Sequence, residues 1–405
     1  MEEWKEYKLG EVYDVHNGLS KGRMFFGSGY PFLSFKTVFN NYFLPPALPD
    51  LVQSDEKEQN FYDIKRGDVF VTRTSETPEE LGMSSVALRD YPLATYNGFT
   101  KRLRPKDAST IYPEFIGYYL RSTKFRAVFY GLASSMSTRA SLSNGDLLEM
   151  RIFLPSLETQ KSIATILKCL DDKIELNRKI NSNLEEQAKA LFKSWFIDFE
   201  PFKDGKFVDS ELGKIPEGWD VVNLLDVSVL FDKRRKPLSG QQRQKMEKLY
   251  PYYGATSIMD YVDDYIFDGV YLLMGEDGSV VKSNGSPYLQ YVYGKFWPNN
   301  HAHVMQGKNG YSTEMLWCLL DLTNVSSIVT GAVQGKISQQ SMQKIKVPLP
   351  TQEVCDRFNI IINPIFAEIR LLSESSMRLS ALRDTLLPKL MSGEIDVEHS
   401  KLLFI

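Results

Sequence analysis

The side chains best suited to chemistry in this sequence are basic and amide groups that lie among glycines and aromatic residues. The densest basic run is Lys233-Arg234-Arg235-Lys236, and an amide-bearing segment follows at Gly331-Ala332-Val333-Gln334-Gly335-Lys336. Lysine and arginine neutralise phosphate oxygens, whereas Asn, Gln, Arg, Ser and Thr can hydrogen-bond to the edges of bases. The pattern therefore predicts a surface that holds nucleic acid, not a catalytic centre.

The residues predicted to contact DNA have polar or basic side chains and lie in segments between apolar runs. In the first half of the chain they are Lys21, Arg23, Lys36, Arg73, Thr74, Asn97, Lys101 and Arg139. In the second half they are Lys233, Arg234, Arg235, Thr256, Lys282, His301, His303, Gln334 and Lys336. The alternative for any single position is an ordinary solvated loop residue.

Several segments imitate catalytic sites but lack the surroundings that such sites need. Phe25–Gly29 fits the F-x-G-x-G pattern of a methyltransferase cofactor loop, which needs a strand before it and a helix after it. The segment that follows, Tyr30–Phe35, instead predicts a strand. Asn363–Phe366 is one residue from an N-P-P-F loop but falls inside a helical pattern, and the glycine-rich segment 331–336 is one residue too short for a phosphate loop. We predict no catalytic residues.

Metal, disulfide and membrane functions are not expected either. His301 and His303 would share one face of a strand, but no further ligand cluster accompanies them, so no metal site is predicted. The three cysteines have no metal spacing, which indicates reduced thiols in a cytoplasmic protein. No apolar run approaches about 18 residues, so no membrane span is expected. The net charge of −3 means that any positive surface must be local.

Two long amphipathic helices must connect the segments that carry these residues. Apolar residues recur at spacings of three and four over both stretches, which predicts coiled-coil seams. The first seam contains Ile163, Leu167, Leu170, Ile174, Leu184 and Leu191. The second contains Val354, Phe358, Ile361, Leu372, Leu379 and Leu382, in the same phase at a shift of 191 positions.

Polar residues interrupt both seams near their midpoints. Asn177 and Asn181 lie in the first seam, and Glu368 and Ser375 lie in the second. If the helices pair antiparallel, the midpoints meet and these groups can satisfy one another, which fixes the register at some cost in stability. The alternative is that these residues face solvent.

The segments outside the helices are duplicated as well. Trp4–Leu9–Val12 recurs at the same spacing as Trp219–Leu224–Val227, and Tyr30-Pro31-Phe32 recurs as Tyr250-Pro251-Tyr252. We predict an α+β fold, with two duplicated mixed α/β modules separated by two long helices that pair as an antiparallel coiled coil. The predicted boundaries are module 1 at 1–155, a first spacer helix at 156–200, a linker at 201–218, module 2 at 219–350, a second spacer helix at 351–393 and a C-terminal tail at 394–405.

The duplicated order of these segments resembles the specificity subunit of a type I DNA restriction–modification enzyme. The resemblance spans nearly the whole chain, and the segments that carry it are Gly67–Arg73, Gly331–Ser338, Leu154-Pro155, Ala190–Phe196 and Leu386–Ile395. One departure is that Arg139 stands where the second copy has Gln334, so the two modules need not use this position in the same way.

This resemblance implies a non-catalytic subunit that binds double-stranded DNA. Each module would be a target-recognition domain for one half of a split sequence, and the helices would set the spacing and bind two methyltransferase subunits. Motor–nuclease subunits would join the complete complex, an adenine-N6 DNA methyltransferase and ATP-dependent endonuclease. S-adenosylmethionine, ATP and Mg²⁺ would act in these partner subunits, and the present chain would hold no cofactor.

Two other functions stay open at this point. A DNA adenine methyltransferase, fused or degenerate, would use Phe25–Gly29, but it would also need an N-P-P-F-type loop in the same domain, and the sequence has none there. A coiled-coil scaffold that binds no nucleic acid would not need alignable polar loop residues in both modules.

Overall fold

The computed structural model describes residues 4–74, 80–134, 141–331 and 334–397. It contains the two long helices, which span Leu157–Phe196 and Gln352–Ser392. The chain divides into two units, and both long helices cross the boundary between them. Unit 1 comprises Met1–Glu175 with Met377–Ile405, and unit 2 comprises Leu176–Ser376. Each unit therefore contains one module together with one part of each long helix.

Unit 1 combines short strands with short helices. Its strands are β1 (Lys5–Lys8), β2 (Tyr13–Asn17), β3 (Phe26–Leu33), β4 (Asp50–Val52), β5 (Val69–Thr72), β6 (Ser84–Val86), β7 (Thr95–Tyr96), β8 (Thr100–Pro105) and β9 (Arg151–Leu154). Its helices are α1 (Leu9–Val12), α2 (Phe35–Asn40), α3 (Glu56–Phe61), α4 (Pro113–Tyr119), α5 (Thr123–Ser134), α6 (Asn144–Glu149) and the first part of α7 (Leu157–Phe196).

Unit 2 begins with the second part of α7 and contains most of the second long helix, α11 (Gln352–Ser392). Its strands are β10 (Phe207–Ser210), β11 (Gly213–Pro216), β12 (Asp220–Asn223), β13 (Ser228–Leu230), β14 (Tyr250–Tyr253), β15 (Ile258–Val262), β16 (Phe267–Asp268), β17 (Tyr271–Gly275), β18 (Asp277–Gly278), β19 (Leu289–Val292), β20 (Lys295–Pro298), β21 (Ala302–Gly307), β22 (Gly335–Lys336) and β23 (Lys346–Leu349). Its other helices are α8 (Gly240–Gln244), α9 (Thr313–Asp321), α10 (Gln339–Met342) and α11 (Gln352–Ser392).

The same strand topology occurs in both units. In the described part of unit 1, one sheet has the order β2-β8-β5-β6, and β3 lies between antiparallel β4 and parallel β7. Unit 2 repeats this as β13-β21-β17-β19, with β14 between antiparallel β15 and parallel β20. Strands β1 and β9 close module 1, and β12 and β23 close module 2 in the same antiparallel manner. The predicted α+β fold with duplicated mixed modules is confirmed.

The central strand of each module is buried on both faces, which explains its continuous apolar sequence. In β5, all four residues of Val69-Phe70-Val71-Thr72 are buried, and in β17 all five residues of Tyr271–Gly275 are buried. Valine and the aromatic residues favour the extended backbone of a strand. These strands form the rigid base from which the polar loops extend.

The segment 201–218, predicted as a linker, folds onto unit 2. Its strands β10 and β11 form an antiparallel hairpin. Ile215 on β11 is only 2% exposed and belongs to the same core as Trp219. The segment therefore contributes apolar contacts to unit 2 as well as joining α7 to module 2.

In each unit the two long helices lie antiparallel. In unit 2, Asn177 Nδ2 donates to Ser375 Oγ at 3.3 Å, whereas Phe192, farther along α7, packs against the earlier Phe358 of α11. In unit 1, the Asp171 carboxylate on α7 accepts a hydrogen bond from Arg383 on α11 at 2.6 Å. The polar midpoints of the predicted seams therefore do meet, although the contact to Asn177 uses Ser375 and not the exposed Glu368.

Most predicted seam residues are buried or partly buried, but two are not. Ile163, Leu167, Leu170, Ile174, Leu184, Leu191, Val354, Phe358, Leu372 and Leu379 lie on covered faces. The prediction is wrong for Ile361, which is 39% exposed, and for Leu382, which is 47% exposed. In α11 the buried positions continue instead through Ile362, Phe366 and Ile369, because this helix packs against a globular core in addition to α7.

The adjacent residues Ile361 and Ile362 provide a matched test of this correction. Ile362→Ala should lower the free energy of unfolding of unit 2 by about 2–5 kcal/mol, because Ile362 is fully buried. Ile361→Ala should cost less than about 1 kcal/mol, since its side chain is partly solvated already. Urea denaturation followed by fluorescence measures the difference, because Trp195, Trp219, Trp297 and Trp317 lie in unit 2. Equal losses of unfolding free energy for both variants would instead support the predicted heptad phase, in which Ile361 lies in the seam.

Candidate nucleic-acid interface

In both modules, the end of the central strand is held by the same backbone hydrogen bond. In module 1, the Arg73 amide donates to the Phe99 carbonyl at 2.8 Å. In module 2, the Glu276 amide donates to the His301 carbonyl, also at 2.8 Å. Arg73 and Glu276 therefore occupy equivalent backbone positions, and so do Phe99 and His301. The equivalent positions carry side chains of different charge and shape.

A second loop pairs with this strand end in both modules. Thr74 forms an antiparallel bridge with Ser141, and Asp277 pairs antiparallel with Lys336. Each loop then leads into a short helix whose first amide groups are capped by a serine, Ser143 in α6 or Ser338 in α10. Lys336 and Ser141 are therefore equivalent in the structure.

Gln334 lies on an exposed turn two residues before Lys336. The turn requires glycine at position 331, where φ is +97° and a Cβ would lie 2.2 Å from the Gln334 carbonyl oxygen. Arg139, which aligns with Gln334 in the sequence, lies outside the described residues. The predicted role of Gln334 thus has a suitable exposed position.

An asparagine shapes the neighbouring turn in both modules. Asn97 Oδ1 accepts a hydrogen bond from the Phe99 amide at 2.6 Å, and Asn299 Oδ1 accepts one from the His301 amide at 2.8 Å. In these turns Phe99 is 60% exposed, and the side chain of His301 is 47% exposed. Asn97 was predicted as a base contact, but its side-chain oxygen serves the turn.

Lys101 was predicted to contact DNA, but its side chain is buried. It is 4% exposed, and its ammonium donates to Asn17 Oδ1 at 3.0 Å and to Asn144 Oδ1. Burial lowers the pKa of Lys101, and the positive charge of Arg73 lowers it further. Lys101 therefore connects β8 to the start of α6 and is not a surface contact.

His303 was predicted as a DNA contact and is also buried. It is 1% exposed, its Nδ1 lies 2.6 Å from Asp232 Oδ2, and its Nε2 lies 2.8 Å from the Ile337 carbonyl oxygen. Burial alone would raise the pKa of Asp232, but its hydrogen bond to His303 and the charge of that residue hold the pKa below its ordinary value. The prediction of a DNA contact is wrong, because both ring nitrogens have internal partners.

Three predicted phosphate contacts form close ion pairs within their own modules. These pairs are Arg235–Glu276 at 2.8 Å, Lys282–Asp321 at 2.6 Å and Lys21–Glu58 at 2.6 Å. A fourth, Lys336, is half exposed and makes a longer pair with Glu276 at 3.5 Å. The Arg235 side chain is only 12% exposed and also donates to the Ala302 carbonyl at 2.6 Å. A cation that a nearby carboxylate already neutralises attracts phosphate weakly, so these residues mainly stabilise the loops.

The remaining predicted contacts are accessible to a ligand. Arg234 lies over the Phe267 ring with 4.3 Å between the guanidinium carbon and the ring centroid, and its Nη2 donates to the Ile266 carbonyl. Its side chain is still exposed, as expected for a phosphate contact. The exposed members of the predicted set are Arg23, Lys36, Lys233, Arg234, Thr256, His301, Gln334 and Lys336, and the partly exposed ones are Arg73, Thr74 and Asn97.

Asp232, Glu276 and His303 place three potential metal-ligand atoms within 4.8 Å of one another. Their lone pairs and protons already have partners, because Arg235 donates to Glu276 Oε2 at 2.8 Å and Gln339 donates to Asp232 Oδ2 at 2.7 Å. A metal ion would have to displace a guanidinium that neutralises the same carboxylate. We therefore interpret the group as an internal ion-pair network.

The segments that imitate cofactor loops do not have the required surroundings. A 3₁₀ turn over Arg23–Phe25 precedes Phe26–Leu33, which is one strand with an irregular register. A cofactor loop of the strand–turn–helix type would need a helix at that place. The second imitation, Asn363–Phe366, lies inside the continuous helix α11. These two observations argue against the methyltransferase alternative.

Sequence reasoning missed the buried acidic partners of this interface. Asp232 and Glu276 follow apolar segments and have no distinctive spacing, so the sequence alone does not indicate that they meet. The duplicated turn, in contrast, is visible in the sequence. An asparagine lies two positions before the exposed residue in both Asn97-Gly98-Phe99 and Asn299-Asn300-His301. Aligning the two modules at this asparagine would have identified Phe99.

Comparisons with known proteins give a consistent result over the whole chain. A family model described as type I restriction modification DNA specificity domain matches residues 1–186 and 216–367. The chain is 28% identical to the type I restriction enzyme MjaIX specificity subunit of Methanocaldococcus jannaschii, over 98% of this chain and 94% of that protein. It is 25% identical to the HindI specificity subunit of Haemophilus influenzae, over 98% of this chain and 100% of that protein.

The fold is also similar to a crystal structure of the type I restriction–modification S subunit from M. genitalium. The TM-score is 0.56 at 16% identity, and the match covers 96% of each chain. Among the residues that the structure describes, no helix combines the length and apolar character needed to cross a membrane.

The residues of the basic run Lys233–Lys236 have different surroundings, so we expect some substitutions to weaken DNA binding and others to destabilise the module. Lys233→Ala with Lys236→Ala should weaken binding to every DNA sequence and reduce the salt dependence by about 0.9 log units for each phosphate contact that is removed, because both side chains are exposed. Arg235→Ala should instead destabilise module 2 by about 1–3 kcal/mol, since it leaves a half-buried carboxylate with fewer donors. Fluorescence anisotropy at several salt concentrations and thermal melting measure the two effects.

Lys203→Ala with Lys206→Ala is the matched control, because it removes the same charge from exposed positions in the segment 201–218. If this control flattened the salt dependence as much as the Lys233 and Lys236 changes, net charge and not local phosphate contact would explain the result.

Proposed function

This chain belongs to the type I restriction modification DNA specificity family, and from that premise we propose that each of its modules recognises one part of a two-part DNA sequence. The chain is a non-catalytic specificity subunit of a type I restriction–modification system. The observation that carries the proposal is the duplicated strand-end site, in which one backbone arrangement exposes Phe99 in module 1 but His301 in module 2. Side chains, not backbone, distinguish base edges, so such a pair suits two different half-sequences.

Exposed cations in both modules would supply the attraction to phosphate. Arg23 and Lys36 belong to module 1, and Lys233 and Arg234 belong to module 2. The chain as a whole has a net charge of −3, so the DNA should approach these local positive positions and avoid most of the remaining surface. The polar side chains at the strand ends, including Gln334, would then contact the bases.

The long helices are proposed to set the separation of the half-sites and to bind the partner subunits. In unit 2, Ile360 is 74% exposed and Leu371 is 61% exposed. They are 11 residues apart, which is close to three helical turns, so both side chains lie on one stripe of α11. Pro364 and Ala367 lie between them at the same helical spacing, so the stripe is a continuous apolar surface, which suits a protein partner. We assign this stripe to a methyltransferase subunit.

The catalytic chemistry is assigned to the partners. Methyltransferase subunits would bring S-adenosylmethionine, and motor–nuclease subunits would bring ATP and Mg²⁺. The chain described here would contribute sequence recognition and assembly, and its work on chromosomal DNA would place it in the cytoplasm.

Substitution of the exposed stripe should separate assembly from recognition. Ile360→Ser with Leu371→Ser should weaken binding of the methyltransferase subunit at least about tenfold, because two exposed apolar anchors are removed. Leu249→Ser, at a residue that is 59% exposed in module 2, is the control and should leave assembly unchanged. Calorimetric titration of the purified subunits measures the affinity. Unchanged binding by the double variant would place the partner on another surface.

Substitution of Gln334 should alter one half-site only. Gln334→Ala should relax base preference in the half recognised by module 2 by about 1–3 kcal/mol if Gln334 forms a bidentate contact with a base. The other half-sequence and the spacing should stay unchanged, because module 1 and both helices are intact. Genome-wide mapping of methylated adenines measures all three features in one experiment.

Gln340→Ala is the matched control, because Gln340 is an exposed glutamine on α10. If Gln334→Ala lowers the melting temperature and leaves base preference intact, Gln334 stabilises its loop and does not contact bases. If it relaxes both half-sequences equally, the assignment of one module to each half is wrong.

A further inference from the structure

His303 is buried in a way that fixes its protonation state. Its Nε2 lies 2.8 Å from the Ile337 carbonyl oxygen, which can only accept, so this nitrogen must carry a hydrogen. Its Nδ1 lies 2.6 Å from Asp232 Oδ2, and an ionised carboxylate also only accepts. Both ring nitrogens therefore act as donors, which requires the positively charged imidazolium form.

The same carboxylate organises several segments around this ring. Asp232 Oδ1 accepts the Val304 amide at 2.9 Å, and its Oδ2 accepts the Gln339 side-chain amide at 2.7 Å. The Ile337 amide in turn donates to the Glu276 carbonyl at 2.8 Å. His303 thus connects β21 to the start of α10 and to the end of the segment that carries Gln334 and Lys336.

The charges that face the imidazolium come from every element packed against it. Glu276, after β17, has Oε2 at 3.7 Å from His303 Nδ1. Arg235, in the turn that contains Asp232, lies 3.6 Å from Asp232 and 2.8 Å from Glu276. Lys336, on β22, lies 3.5 Å from Glu276. Two carboxylates and two basic side chains therefore surround the ring, and the imidazolium is the third positive charge of this network.

Module 1 uses a different side chain at the equivalent position. The backbone equivalence of Arg73 with Glu276 and of Phe99 with His301 places Lys101 opposite His303. Lys101 donates to Asn144, the first residue of α6, just as the Asp232–His303 pair holds Gln339, the first residue of α10. One module therefore fixes its second loop with a lysine and the other with a histidine, whose charge changes near neutral pH.

We infer that His303 is a positioning residue, which as an imidazolium bridges Asp232 to the Ile337 carbonyl and thereby holds the segment Gln334–Ser338 in its DNA-binding arrangement. This inference rests on the proposed function of module 2 in recognising one half-site. It makes recognition of that half-site dependent on pH near neutrality, while recognition of the half-site of module 1, where Lys101 replaces the histidine, should change only at a higher pH.

The direction of the pH dependence follows from the surroundings of the ring. Burial alone would lower the pKa of His303, but the hydrogen bond and charge of Asp232, together with Ile337 and Glu276, raise it above its ordinary value. A raised pKa in the folded state means that the bridge is fully formed below the unfolded value of about 6.5. The bridge is lost as the pH rises through the folded pKa, so discrimination by module 2 should fall on the alkaline side.

The direct test is a pH series on the complete complex with its methyltransferase subunits. Base-pair changes are placed in one half-site at a time, and the affinity ratio of cognate to altered DNA is measured from pH 6 to pH 9. Discrimination in the half-site of module 2 should fall by up to about tenfold for each unit by which the pKa of His303 in the ordered loop exceeds its pKa in the released loop. Discrimination in the other half-site should stay constant. A constant ratio in both half-sites overturns the inference.

Three variants identify the titrating group. His303→Gln should abolish the pH step, and His303→Lys, which copies module 1, should abolish the step while retaining more discrimination at alkaline pH. His301→Gln changes the exposed histidine two residues away; it should lower discrimination at every pH, because His301 belongs to the strand-end site, but it should keep the pH step. If the step disappears in His301→Gln and persists in His303→Gln, the exposed ring is the sensor and the inference is wrong.

A measurement on the unaltered protein avoids variants that fail to fold. The chain has only four histidines, so ¹⁵N labelling of histidine gives few ring signals to assign. The ring of His303 should carry hydrogen on both nitrogens at pH 6.5 and lose one at a higher pH. A single protonated nitrogen throughout pH 6–9 overturns the inference. Absence of base preference in both half-sites at every pH would instead refute the proposed function.

Discussion

Burial of the long helices inside the module cores is the contact on which both units depend. In unit 2, Phe358 of α11 is fully buried against Phe192 and Phe196 of α7 and belongs to the same core as Leu272 of the central strand. In unit 1, Leu167 and Leu390 share a core with Val69 in the same way. Neither module closes its core without residues from both helices. Helix pairing and module folding are therefore coupled within each unit, so a substitution that weakens the helix pair should also destabilise the sheet.

This coupling also decides which features the sequence could predict. The duplicated apolar segments and the positions of the long helices follow from local patterns, and the structure has them where the sequence indicates. The burial of Ile362 in place of Ile361 depends on which face of α11 the module covers, and a pattern of mixed three- and four-residue spacings permits both. For Leu382, likewise, the spacing indicated a seam position, but about half of the side chain faces solvent.

The candidate interface was only partly predictable for a related reason. A basic or polar residue in a loop looks the same in the sequence whether it faces solvent or a buried carboxylate. Lys101, Arg235 and His303 all have internal partners that come from segments distant along the chain, such as Asn17 for Lys101 at 3.0 Å. Gln334 and Lys233 have the exposure that was expected of them. Polarity thus indicated the region of the interface but not the direction of each side chain.

The internal pairing of so many cations bears on how discrimination can arise. Attraction to phosphate does not depend on the DNA sequence. Because the chain has a net charge of −3, only a few exposed lysines and arginines can provide this attraction. Discrimination must then come from short-range contacts, whose energy falls steeply when a side chain is misplaced. Buried charge networks are costly to form but hold their members in one geometry when every donor and acceptor has a partner. The network of Asp232, Glu276 and His303 therefore matters for specificity because it orders the loop that presents Gln334, although none of its three members is placed to contact DNA through a fully exposed side chain.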